Sequence, residues 1–286
     1  MQILSGKKVS ASLREALKVQ AVKFQQKAGR PPGLGVILVG EDPASQVYVR
    51  NKFKACEEVG FQSFEERLPN PKSIDEVLAL VEKLNENPEV DGFLVQLPLP
   101  DSKWERAVLD KIDPAKDADG LTAENVGLLW LDRARVLPCT PAGVIEILKF
   151  YGHEMARKNA VVVGRSQIVG RPMAQLLLKE NATVTIAHSK TPDVGALTRE
   201  ADIVVVAAGR PQLLGREDFK QGAVVIDVGI HRVNGRLCGD VRFEELEGHV
   251  LAATPVPGGV GPMTITMLLK NALTLAQRSL QNKGSR

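Results

Sequence analysis

Long apolar runs are missing from this sequence. Nothing in it approaches the roughly 18 consecutive apolar residues of a membrane-crossing helix, and MQILSGKKVS at its start has no apolar segment of signal-peptide length. Cysteine is scarce too. Cys56, Cys139 and Cys238 are odd in number, widely spaced and without a C-x-x-C pair, which argues against a disulfide framework and points to reduced thiols in a cytoplasmic protein. The histidines, His153, His188, His231 and His249, share no metal-ligand spacing, and H-E-x-x-H is absent, so no metal site is expected. Lys and Arg never run longer than two in a row and the net charge is +3, so no nucleic-acid-binding face is expected either.

What is present is an ordinary globular balance, 44% hydrophobic and 25% charged over 286 residues, enough for one large or two medium domains. Strand-like and helix-like patterns alternate. GLGVILVG (33–40) reads as a buried strand, 45–60 as a helix, 73–87 as an amphipathic helix capped by Ser73, and 90–98 as a second buried strand. The later half repeats the alternation, with strands at 159–164, 182–188, 202–209 and 223–230 and helices near 170–181 and 193–201. An Asn-Gly turn falls in 233–236, and a closing helix of about 18 residues starts near Pro262, read as an N1 proline. Such alternation predicts an α/β protein with parallel sheets. A loop-rich segment between about 113 and 141 divides it in two: 1–139 plus the returning helix, about 266–286, and a Rossmann-like domain over 140–265.

VVVGRSQIVGRP (161–172) has the form of a strand, a turn and a helix start, which together make an anion site. It is not G-x-G-x-x-G, and the spacing from Gly164 to Gly170 is too wide for that motif. NAD sites place a carboxylate at the end of the next strand, to accept from the ribose 2′-hydroxyl. Here that strand runs into His188, Ser189 and Lys190. Arg165 and Ser189 on neighbouring strand ends suit a 2′-phosphate, which predicts NADP, with a solvated loop arginine as the lesser alternative.

In the earlier half, Tyr48 and Lys52 share a helix face at i, i+4, and Gln96 ends an apolar strand just before LPLP. Lysine beside a tyrosine and a glutamine can carry a proton near neutral pH, since burial and polar neighbours lower its pKa. On spacing alone, an ordinary amphipathic helix accounts for the pair more simply. Asp117 and Asp119 in KDADG are turn-formers or ligands with equal reason. TPVPGGVGPMT (254–264) has more glycine than a plain helix entry needs, which favours a ligand-facing loop.

YVRNKFKAC (48–56), VQLPLP (95–100), KDADGL (116–121), PCTP (138–141), VVVGRSQIVGRP (161–172), HSKT (188–191), VIDVGI (225–230) and PVPGGVGPMT (255–264) together resemble one family in order and over nearly the whole chain. It is the bifunctional methylenetetrahydrofolate dehydrogenase/methenyltetrahydrofolate cyclohydrolase (FolD) family. The resemblance implies NADP-dependent oxidation of 5,10-methylenetetrahydrofolate, hydrolysis of the 5,10-methenyl product to 10-formyltetrahydrofolate, two α/β domains with folate in a cleft between them, and a homodimer. It implies that Lys52 is the key cyclohydrolase residue, that Tyr48 stacks on the folate, that Gln96 tunes the lysine, and that Asp119 anchors the pterin. Leu97, Pro98, Pro257, Gly258 and Gly259 become substrate contacts, and Thr140, Gly164, Arg165, Ser166, Ile168, Ser189 and Ile230 cofactor contacts. Arg242 departs from an acidic family pattern at a surface position expected to matter little, and Arg171 is assigned no role. A monofunctional NADP(H) dehydrogenase of this or a related two-domain family, such as one acting on shikimate-type substrates, stands as the alternative. A binding protein that has lost catalysis would have a damaged set of these residues.

Overall fold

The structure, a computed structural model, describes residues 1–284, so positions 285–286 of the expected closing helix lie outside the described residues. The chain forms two compact units: Met1–Ala11 with Pro138–Thr264, and Ser12–Leu137 with the chain from Ile265 onward. The sequence reading had put residues 1–139 together. The first eleven residues depart from it because β1 (Gln2–Ile3), only two exposed residues long, joins the sheet of the later unit. A strand that short has no readable period. α1 (Gly6–Ala28) follows it and is a helix the sequence reading did not anticipate.

In the unit of Ser12–Leu137, β2 (Gly33–Val39) lies between β3 (Gln62–Leu68) and β4 (Gly92–Val95), all parallel, with crossovers through α2 (Pro43–Val59) and α3 (Ile74–Glu86). β2 is buried throughout, as a central parallel strand of continuous apolar sequence should be. α3 buries Val77, Val81 and Leu84 at i, i+4 and i+7 against Ile37, Val39, Phe93 and Val95. Each such side chain contributes about 1.5–3 kcal/mol by leaving water. Ser73 precedes α3 but makes no capping bond; the Glu76 carboxylate accepts from Lys72 N–H (3.1 Å) instead. After β4 come α4 (Trp104–Lys111) and α5 (Ala123–Trp130). Between them Phe93 and residues 116–118 exchange backbone hydrogen bonds of 2.8 and 3.2 Å, which extends the sheet beside β4. The chain leaves β2 for β3 and returns past it to β4, so the strand order reverses at the carboxyl end of β2. Ligands of open parallel sheets bind at such a reversal.

The other unit begins with α6 (Cys139–Phe150) and continues through β5 (Asn159–Val163), α7 (Gly170–Lys179), β6 (Thr183–Ala187), α8 (Val194–Thr198), β7 (Ile203–Val206) and β8 (Val224–Asp227). A hairpin of β9 (His231–Val233) and β10 (Arg236–Cys238) turns through Asn234 and Gly235, both at positive φ, as an Asn-Gly turn requires. β11 (Ala252–Ala253) completes a parallel sheet ordered β1-β11-β8-β7-β5-β6. Its order reverses at β5, which therefore presents the second ligand-binding edge.

α9 (Val260–Gly284) is longer than expected and starts two residues before Pro262, so that proline is not its first residue. Among the described residues no helix is long and apolar enough to cross a membrane. Arg242 pairs with Glu217 and Glu245 and donates to the Gln212 carbonyl (3.2 Å), linking two short 3-10 turns at the surface.

Candidate active site

α2 starts where the chain makes it start. Gly40 takes a positive φ, Asp42 accepts from Ser45 N–H (2.7 Å), and Pro43 supplies a first residue already set for a helix. This fixes Tyr48 and Lys52 one turn apart. Lys52 is buried, 7% exposed, and its Nζ donates to Gln96 Oε1 at 2.8 Å. The Gln96 amide has a determined orientation because its Nε2 donates to the Leu97 carbonyl (2.6 Å), turning Oε1 toward the lysine. Tyr48 is half-buried, and burial raises its phenol pKa, so it stays protonated at neutral pH. Leu97 is half-buried and Pro98 exposed, at the same strand exit. Cys56, one turn beyond Lys52, is an inert core thiol whose pKa burial pushes up to about 11.

The two aspartates of KDADG divide cleanly. Asp117, 1% exposed, accepts from Gly120 N–H, Thr122 N–H (both 2.8 Å) and Asn125 Nδ2 (2.9 Å), and so builds the turn. Asp119 is half-buried. Phe93 pairs with Asp117 in a single bridge, and Asp119 follows in the turn that Asp117 closes.

In the other unit, Gly164 leaves β5 with φ 134°, and a Cβ there would collide with the Ala207 carbonyl oxygen. A Cβ on Gly170 would collide with the Gly164 carbonyl oxygen. The wide glycine spacing therefore belongs to a loop that folds back onto its own start. Ser166 Oγ accepts from Val169 and Gly170 N–H (3.2 and 3.3 Å), closing the loop from inside. No described residue accepts from the backbone N–H groups of residues 165–168. Successive free N–H groups before a helix start fit a diphosphate.

β5 and β6 pair with Val163 opposite Ala187. Arg165 and Ser189 each lie two residues beyond that pair, and both are exposed. His188 turns the chain there: its N–H donates to Thr191 Oγ1 (3.0 Å), and its Nδ1 accepts from Lys190 N–H (3.2 Å). A guanidinium and a hydroxyl at this edge could hold a phosphate. Ile168 and Ile230 are exposed apolar residues on the loops after β5 and β8. Thr140 shares a 3.0 Å hydrogen bond with Thr264. Pro257, Gly258 and Gly259 belong to this unit, in a turn where the Gly258 carbonyl accepts from Lys7 N–H (3.0 Å). No group of three His, Cys, Asp or Glu among the described residues could hold a metal.

Sequence reasoning missed Asp227 and Asp240, both buried. Asp227 accepts from the N–H groups of Gly229, Asp240 and Val241 at 2.9–3.0 Å, yet burial outweighs these and pushes its pKa up to about 6. A carboxylate at the end of the apolar run AVVID was the available signal.

The family model described as "Tetrahydrofolate dehydrogenase/cyclohydrolase, catalytic domain" matches residues 4–119, and the NAD(P)-binding domain of the same description matches 138–280. "Bifunctional protein FolD" of Bdellovibrio bacteriovorus is 54% identical over 278 residues, 96% of each chain. The crystal structure of the bifunctional enzyme FolD from Campylobacter jejuni superposes with a TM-score of 0.93 at 47% identity, covering 98% of this chain and 99% of that one. The Trypanosoma brucei enzyme, solved with NADP cofactor and inhibitor, gives 0.93 at 42% identity over 98% of both chains.

The raised Asp227 pKa has a signed consequence. Its folded value of about 6 exceeds its unfolded one, so burial of the charged form lowers stability above pH 6, and acidification relieves that penalty. Between pH 7 and pH 5 the wild type is expected to gain about 1 kcal/mol relative to Asp227→Asn. Urea denaturation of both proteins at the two pH values measures this, and parallel pH profiles would contradict it.

Proposed function

The chain belongs to the tetrahydrofolate dehydrogenase/cyclohydrolase family, and from that footing we propose how its residues divide the work. The enzyme is bifunctional: it oxidises 5,10-methylenetetrahydrofolate to the 5,10-methenyl form with NADP, then hydrolyses the product to 10-formyltetrahydrofolate. When bound, NADP supplies the hydride acceptor. The folate's own nitrogen lone pairs drive hydride departure, so the first step asks the protein for positioning rather than proton transfer. Residues 165–168 offer N–H groups to the diphosphate, with Gly164 allowing close approach. Arg165 and Ser189 take the 2′-phosphate, Ser166 holds the loop, and Ile168 and Ile230 give apolar contact, with Thr140 beside them in the cofactor set.

The second step adds water to a cation and must move a proton. The observation that carries the assignment is Lys52, buried and bonded to Gln96 at the carboxyl edge of the sheet. A buried lysine with no catalytic task would be a poor choice at that place, since burying it costs several kcal/mol. Lys52 Nζ moves the proton, and Gln96 holds that nitrogen in place. Tyr48 offers a flat, protonated face to the substrate, Asp119 accepts from the pterin, and Leu97 and Pro98 line the same strand exit. Pro257, Gly258 and Gly259 are assigned to substrate contact on the family resemblance alone. We also propose a homodimer: β6 is an open sheet edge with Thr183, Thr185 and Ile186 exposed, and Leu178 is exposed on the preceding helix α7.

Lys52→Met is expected to lower cyclohydrolase turnover at least about a hundredfold while NADP and folate still bind. The decay of the methenyl absorbance reads this directly, and unchanged hydrolysis would remove Lys52 from the mechanism. Arg165→Ala should reduce the preference for NADP over NAD by about tenfold or more, compared as kcat/KM for the two cofactors. An unaltered ratio would assign the phosphate to other donors. Light scattering should give the mass of two chains, and Ile186→Glu should give that of one.

A further inference from the structure

We propose that Asp240 is a positioning residue for the cofactor site: its buried carboxylate shapes the loop that leaves β7 and, through it, the phosphate loop after β5. This rests on the reading of residues 164–170 as the NADP site. Asp240 is fully buried. Its Oδ2 accepts from Ala208 N–H (2.7 Å) and Gly209 N–H (3.0 Å); its Oδ1 accepts from Arg210 N–H (3.0 Å) and lies 2.7 Å from His231 Nε2. Three successive backbone N–H groups turned onto one carboxylate form a concave nest, a backbone shape that an anion holds together. Here the anion is part of the protein.

The nest sits at the reversal of strand order. Residues 208–210 follow β7, and the Ala207 carbonyl fills the space where a Cβ on Gly164 would be. The wall of the phosphate loop is therefore set by the bend that Asp240 imposes one residue later. A second line of contact runs to the exit of β8. The Asp240 carboxylate also fills the place of a Cβ on Gly229, and His231 directly follows Ile230. One side chain thus braces the loops after β7 and β8. Asp240 is itself held, because its N–H donates to Asp227 Oδ1 (3.0 Å). Only a carboxylate can do this. The site brings four donors and no acceptor, so an asparagine in the same place would turn an NH2 group against two of them.

The test is ligand binding to the cofactor-free protein, by calorimetry, with NADP and separately with a folate analogue, alongside a melting curve. For Asp240→Asn the Kd for NADP is expected to rise about tenfold or more, while the folate Kd changes less than about twofold. His231→Leu removes one donor at the half-exposed rim and so guards against a variant that fails to fold. It should weaken NADP binding by about two- to fivefold, and His231→Gln, which keeps an N–H donor, should restore it. NADP binding unchanged in both variants, or equal losses for NADP and folate, would overturn the proposal. A wild type that does not bind NADP would instead overturn the assignment of the cofactor site.

Discussion

A parallel strand that ends beside its neighbours leaves backbone N–H groups in the following loop with no ladder to join, and a buried N–H must find an acceptor. In this protein aspartates take up that task in several loops. Asp117 closes KDADG, Asp227 and Asp240 close the exits of β7 and β8, and Asp91 accepts from Gly33 N–H and is clasped by Arg30. The loop after β5 is left open on its outer side, with the N–H groups of residues 165–168 unclaimed. The contrast separates loops completed by buried carboxylates from a loop whose outer N–H groups have no acceptor among the described residues.

The two sheets use the same edge for different chemistry. One presents glycines, N–H groups and a guanidinium, groups suited to an anion and not to moving a proton. The other presents a buried amine tied to an amide whose orientation is fixed by its own second bond. Binding calls for fixed partial charges, and proton transfer for one group held at one place, so the residue types differ although both sheets are parallel and both reverse their order.

Much of this was legible in the sequence because burial on both faces leaves unbroken apolar runs, as in β2, β7 and β8. β3 was not, since QSFEERL lies at an edge, carries three charges and never buries a residue fully. β4 is shorter than the expected 90–98: Gln96 N–H makes one more bond, to the Ile37 carbonyl (2.9 Å), before Pro98 and Pro100 end the pairing. Tyr48, Lys52 and Gln96 could be singled out, but spacing could not bring Gln96 to the lysine across 44 residues. Asp240 was invisible for another reason. GDVRFEEL has the composition of a surface turn, and only the fold shows its first carboxylate to be fully buried while Arg242 binds the acids around it.

The pairing of Val163 with Ala187 has a wider consequence. Arg165 and Ser189 each follow that pair by two residues, and a slip of one residue would shift the two strand ends by about 3.3 Å and turn the side chains of β6 to the opposite face. A cofactor preference carried by these two residues would depend on strand alignment as much as on side-chain identity. Grafting this arginine and serine onto another dinucleotide fold would transfer the preference only if the recipient's first two strands kept the same alignment.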